Sequence, residues 1–266
     1  MPANLAALFI PAAFLIAAVL IGRILERWRP VEADHARSEV ALDYWLAALN
    51  LLMNAGALLL VGLFFAVDER HGRGLIHLWP KGWAVAVSFA IYLLVFDLLL
   101  YGFHRAQHKV PMLWAMHSLH HSNRALTVST GARHYWLEGL IKRVCLFPLM
   151  GFVFEAPPQV PAMVALLYFA VDSCAHMNLR LSAGRFTLWV NNPQYHRIHH
   201  SSSERHNEKN FSDFLPLWDL LFGTAWRPSA DEWPATGLAT GEKPRLLLDG
   251  LTWPLHRRPT PHPAGS

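Results

Sequence analysis

Eight histidines fall into three short groups whose spacing suits metal coordination: His104 and His108 in HRAQH, His117, His120 and His121 in HSLHH, and His196, His199 and His200 in HRIHH. On a helix, residues four apart stack on one face. In each HxxHH group the first ring shares a face with the other two, whereas the adjacent pair diverges. One ring of each adjacent pair can therefore serve each of two metals. A lone HxxxH is common, but HxxHH twice, 79 residues apart and after an HxxxH that ends an apolar run, is a specific signal. Bare buried imidazoles would each need a hydrogen-bond partner and would repel one another if protonated. Shared metal ions remove both difficulties.

The donor set narrows the metal. Imidazole suits zinc, copper, iron and nickel. Structural zinc takes four ligands, often with cysteine, and eight candidates without a thiolate pattern argue instead for two metals. No HExxH, in which a glutamate activates water on zinc, is present. Two redox-active ions beside a membrane point to oxygen chemistry. Iron can activate O2 and take hydrogen from a saturated carbon, which a single zinc ion cannot do.

The segments that position these groups are apolar. Of 266 residues, 53% are hydrophobic and 16% charged, against about 25% charged in a soluble domain. The mean hydropathy of +0.22 averages over a polar C-terminal third. The net charge of +4 does not signal nucleic acid, because the basic residues sit beside apolar runs, where membrane anchors usually lie. Cys145 and Cys174 form no CxxC pair; they imply neither a disulfide framework nor a zinc knuckle and read as small buried hydrophobes.

Three runs are long enough to span a bilayer: 5–22, 44–67 and 83–103. The first has no Lys or Arg before it and no cleavage site after it, unlike a signal peptide. In the second, Asn50 and Asn54 lie one turn apart and predict a polar face against another helix. The third carries Asp97, seven residues before His104, where a carboxylate is expensive unless it supports the site. Residues 140–175 are apolar but broken by EAPPQVP and read as a helical hairpin.

The expected fold is an all-α integral membrane protein with three transmembrane helices, an interrupted hairpin and a histidine-rich helical catalytic region facing the cytoplasm. That orientation rests on Arg23, Arg27, Arg29 and Arg37 after the first run and on Arg105, Lys109, Arg124 and Arg133 after the third. The expected divisions are an N-terminal transmembrane region (1–82), a catalytic region (83–226) and a proline-rich tail (227–266) that packs loosely or is partly disordered. His35, His71, His77, His256 and His262 stand alone and read as loop residues.

The order HRAQH, HSLHH, HRIHH resembles the sterol desaturase and fatty acid hydroxylase superfamily. HSNRALTVSTGARHYWLE, HMN at 176–178 and HHSSSERHNEKNFSDFLPLWDLLFGT at 199–224 extend the likeness to about residues 90–226. The resemblance implies a diiron centre held by the eight box histidines, with His176 as the best ninth ligand. It makes His134, near Glu138, and His206 further candidates as ligands or hydrogen-bonding neighbours. Asp172, one turn before His176, and Asp213 are candidates to orient ligands. The chain departs from the family's pattern at Tyr135, where proline is frequent, and at Phe211-Ser212, where Tyr-Gly is common. Both departures bear on the substrate channel and leave every proposed ligand in place.

The implied activity is hydroxylation of an unactivated C–H bond of a sterol, fatty acyl chain or related lipid, with two iron ions, O2 as co-substrate and electrons from outside. Desaturation by the same site is the alternative. With no haem, flavin or dinucleotide motif in the chain, a ferredoxin, cytochrome or reductase is the expected partner. Two other classes stay open. A membrane zinc hydrolase would use Glu138 as base and need no O2. A non-catalytic metal-binding or transport protein would carry polar residues along a pore, and the third run offers only Asp97.

Overall fold

The structure, a computed structural model, describes residues 16–33, 39–53, 74–79 and 81–256, and within them the regular structure is mostly helical, with long irregular connections after residue 175. Helix α1 is Ile16–Leu25, and α2 covers the described residues 39–53. Of the first two expected spans, residues 5–15 and 54–67 lie outside the described residues. Asn50, expected to face another helix, donates instead to the His134 carbonyl at 2.9 Å. Asn54 lies outside the described residues.

The central element is α3, Ala84–Lys109. Among the described residues it alone is long and apolar enough to cross a membrane, with a mean hydropathy of 2.2. At 1.5 Å per residue it is about 39 Å long, against a hydrocarbon core of about 30 Å. The expected span ended at residue 103; the helix runs two turns further and carries His104 and His108. Its buried residues, Ser88, Tyr92, Asp97, Leu100, Tyr101, His104, Gln107 and His108, recur at helical spacing and form one stripe.

The expected hairpin is α5 (Trp136–Val153) and α6 (Gln159–Ala175). Pro148 is tolerated inside α5; the chain turns extended at Phe154, and Pro157 and Pro158 complete the break. Strand β2 (Phe154–Glu155) at the tip pairs in parallel with β1 (Ile76–His77), Ile76 opposite Phe154. Both arms pack on α3. The hairpin thus leaves from the histidine end of α3, reaches the residues just before its N-terminus, and returns. Leu78, Tyr92, Met150, Phe154, Val160 and Val164 form the core at that far end. Cys145, expected to be buried, is exposed on α5.

Short helices carry the remaining groups. The second box is not one helix: α4 (Pro111–His117) ends at His117, and a 3-10 turn, His120–Ser122, carries the adjacent pair. The third box is α7 (Pro193–His199), whose start is set by Pro193 and by Asn192, which accepts from the Tyr195 N–H at 3.2 Å. Helices α8 (Leu217–Leu221) and α9 (Leu247–Leu251) follow.

Residues 227–256 do not pack loosely. Arg197 Nε donates to the Pro234 carbonyl at 2.8 Å, Ser202 N–H to the Ala235 carbonyl at 3.0 Å, and Gly237 N–H to the His200 carbonyl at 3.2 Å. Trp253 enters a second core with Leu42, Leu46, Met116, Leu119 and Tyr135. Prolines break helical periodicity without preventing a segment from using its carbonyls and one large aromatic to pack.

Candidate metal centre

Nine histidines converge where α3, α4, the 3-10 turn, the end of α6 and α7 meet, and their nitrogens form two groups. His104, His108, His117, His121 and His199 make one, and His120, His176, His196 and His200 the other; within each, one nitrogen per ring lies within 4.8 Å of all the rest. The adjacent residues His120 and His121 divide between the groups, as do His199 and His200. All nine rings are buried.

In the five-ring group, hydrogen bonds at one nitrogen aim the other inward. His104 Nδ1 donates to the Phe211 carbonyl at 2.8 Å and His199 Nδ1 to the Lys209 carbonyl at 2.9 Å. His117 Nδ1 lies 3.2 Å from Glu138 Oε2. The Nε2 atoms of His104 and His199 are then lone-pair acceptors, and these two and the Nε2 of His117, whose Nδ1 also lies 3.2 Å from the Gln107 amide, are buried with no hydrogen-bond partner among the described residues. Three such orphans in one pocket are costly unless something electrophilic occupies it. Phe211 closes this group, its ring edge-on to His104, His108 and His199.

The four-ring group is tighter. His176 Nε2 lies 3.0 Å from His196 Nε2 and 3.2 Å from His120 Nε2, and His196 Nε2 lies 3.1 Å from His200 Nε2. His176 Nδ1 donates to the Asp172 carbonyl at 2.8 Å, with the Asp172 carboxylate 3.4 Å away, so its Nε2 is an acceptor. Nitrogens about 2.1 Å from one ion, at angles from right to tetrahedral, are about 3.0–3.4 Å apart. The observed separations match that range.

Electrostatics keeps six of the rings in the metal-binding form. Burial, reinforced by neighbouring rings, holds His120, His121, His196, His199 and His200 well below the usual histidine range. Burial lowers His117 to about 4 although Glu138 acts to raise it. For Glu138 burial acts upward, but His117 and His134 outweigh it and hold the carboxyl well below its usual range. Neutral imidazole is the form that binds metal. Buried neutral rings with inward lone pairs, and no thiolate among them, fit two ions of the borderline class that includes iron.

Other side chains set the positions. Glu138 joins His117 to His134, whose ring stacks on His120 with centroids 4.4 Å apart. His134 is part-exposed and shares a three-residue cluster with His117 and Glu138. Asp219 holds the loop beyond the third box: it accepts from Phe211 and Ser212 N–H at 2.8 Å each, Tyr195 OH at 2.9 Å and Thr224 Oγ1 at 2.6 Å. Asn191 lies 3.4 Å from His196 Nδ1 and donates to the Ser212 and Asp213 carbonyls. Asp213 Oδ1 lies 3.3 Å from His104 Nδ1, and Tyr168 OH donates to Asp213 Oδ2 at 3.1 Å.

Two candidates sit elsewhere. Asp97 meets the loop rather than a ring, accepting from Phe214 and Leu215 N–H at 3.2 and 3.0 Å and from Trp218 Nε1 at 2.9 Å. His206 lies outside both groups, with Ser201 Oγ at 2.8 Å and Glu232 at 3.2 Å, because the chain turns away after α7. Asp219, Asn191 and Phe211 had no assigned role from spacing. Asp219 lies in the WDLLFGT stretch that carried the resemblance, and Asn191-Asn192-Pro193 is a helix-start signal.

A helical chain with a membrane-length helix that ends in an all-histidine, two-pocket centre defines a class of membrane metalloprotein. The particular family follows from comparison: the fatty acid hydroxylase family model matches residues 89–224, just over half of the chain, and the chain belongs to that family. It is 29% identical over 182 residues to ornithine lipid hydroxylase OlsE of Rhizobium tropici, covering 68% of this chain and 54% of that protein. It is 30% identical over 154 residues to alkylglycerol monooxygenase of Danio rerio, covering 58% of this chain and 33% of that protein. With the human alkylglycerol monooxygenase the figures are 31% over 146 residues, 55% and 31%. The chain therefore spans about half the length of the first relative and about a third of the others. No solved structure matches it.

Proposed function

We propose that this chain is a diiron monooxygenase that hydroxylates an unactivated C–H bond of a membrane lipid, using O2 and electrons from a separate donor such as a ferredoxin, cytochrome or reductase. The observation that carries the reading is the division of nine buried histidines into groups of five and four, in a family whose curated relatives are named as a lipid hydroxylase and as monooxygenases. Two bound irons would supply the oxygen activation and hydrogen abstraction that no side chain here can perform. His104, His108, His117, His121 and His199 would hold one, and His120, His176, His196 and His200 the other.

The chain's own residues do the positioning. Glu138 fixes the His117 ring and joins it to His134, and the Asp172 carbonyl fixes His176. Phe211 and the buried α3 stripe keep bulk water from the five-ring group. His134, part-exposed and stacked on His120, is the accessible ring beside the buried groups.

The placement proposed with this function is a membrane region over 1–82, a catalytic region over 83–226 and a C-terminal segment over 227–266. Spans run at 5–22, 44–67 and 83–103, the hairpin of α5 and α6 matches the depth of α3, and the histidines face the cytoplasm. The pairing of the hairpin tip with β1 supports the matched depth, and the basic residues beside the histidines support the orientation. Anaerobic purification with metal analysis and Mössbauer spectroscopy tests the centre. The expected result is two irons per chain with a coupled signal after oxidation; active protein with zinc alone, or without a coupled pair, contradicts it.

A further inference from the structure

Away from the histidines, a cleft of roughly 470 Å³ opens between the loop after the second box and the C-terminal segment. Arg124, Lys243, Arg245, His256 and Trp253 line it with Glu242, and a second carboxylate, Asp249, accepts from the Arg245 N–H at 2.8 Å beside its rim. Arg124 donates to the Gly241 carbonyl at 2.5 Å, and a Cβ at Gly241 would lie 2.7 Å from its Nη2. The turn is thus shaped to take a guanidinium flat against it. Lys243 pairs with Glu39 at the start of α2.

The rim of the cleft is apolar. Leu246, Leu248 and Leu255 are 67%, 65% and 78% exposed. They lie on a segment fixed from beneath: Trp253 is buried and donates to Ser118 Oγ at 3.0 Å, and a Cβ at Gly250 would lie 3.4 Å from Leu46 of α2. Helix α2 itself exposes Trp45, Leu51 and Leu52 at 64–70%. Cations flanked by bare leucines, beside a helix with a bare apolar face, match the headgroup and upper acyl region of an anionic bilayer. An acidic protein partner would satisfy the cations and leave the leucines in water.

We propose that this cleft binds the phosphate of an anionic phospholipid while Leu246, Leu248 and Leu255 enter the bilayer interface, so that the C-terminal segment clasps the second histidine box to the membrane surface. The proposal rests on the membrane placement given above, and not on the reaction. The test uses the full chain in detergent micelles, titrated with acyl-labelled phosphatidylglycerol and, separately, phosphatidylcholine. Phosphatidylglycerol should bind more tightly. Arg124→Gln with Arg245→Gln should weaken it by roughly 25-fold, about 5-fold per cation, with phosphatidylcholine binding and iron content unchanged. Leu255→Asn, at an exposed position that cannot upset the fold, should weaken both lipids. Equal binding of the two lipids, an unaffected double variant, or inorganic phosphate bound as tightly as phosphatidylglycerol would overturn the proposal. So would lipid binding that survives the double variant while salt-sensitive retention of an acidic electron donor is lost. Iron content and lipid oxidation are read separately, so a failed clasp and a failed oxygenase give different results.

Discussion

At the scale of single residues, the centre depends on pairs in which one atom aims another. His176 connects the four-ring group, touching both His196 and His120. His176→Ala should reduce bound iron from two to about one per chain and remove activity, measured by metal analysis of folded protein. His121→Ala should act on the other iron. Retained full stoichiometry in both variants would contradict the two-group assignment. The box histidines were legible in the sequence as a cluster because their spacing is local and repeated, although the second box is split between α4 and a 3-10 turn. Glu138 and Asp213 are candidates from the sequence, but their partners His117 and His104 are tertiary contacts, and no periodicity announces such pairings or the roles of Asp219 and Asn191.

At the scale of elements, the third box is only as ordered as the loop behind it. Asp219→Ala leaves the Phe211 and Ser212 N–H groups buried without a partner, at about 1–3 kcal/mol each. Hydrogen exchange over 209–226 should accelerate before the rest of the chain, with iron lost from the five-ring group, since Lys209 and Phe211 carbonyls orient His199 and His104. Tyr195→Phe, which removes one hydroxyl from the same carboxylate, should cost about 1.5–3 kcal/mol. A second junction is the ion pair of Arg133 with Asp43, neither exposed at all. Arg133→Ala should destabilise by about 3–5 kcal/mol, because it leaves a buried carboxylate unpaired, and chemical denaturation in detergent would register it. Sequence patterning found α3 and the α5–α6 hairpin because long apolar runs have a length scale of their own. It misjudged residues 227–256, where contacts come from scattered carbonyls, Gly237 and Trp253, and it read Asp97 as a support for the site, when its partners are the backbone of residues 214 and 215 and the Trp218 indole.

At the scale of the whole molecule, metal and fold are linked. In the proposed assignment the ligands would come from α3, α4, the 3-10 turn, α6 and α7, so removing metal would remove a tie between five segments. Binding at 100 times Kd contributes about 2.7 kcal/mol per site, so a chelator should lower the Tm and iron should restore it; an unchanged Tm would contradict a metal held by all five. The central claim is oxygen insertion into a lipid. Its most direct test is lipid mass spectrometry of cells with and without the protein, grown under 18O2. The account predicts a lipid that appears only with the protein and carries one 18O atom, and that is lost in the His120→Ala and His199→Ala variants. A product lighter by two hydrogens and free of label, or no oxidised lipid from protein that carries both irons and is supplied with electrons, would contradict it.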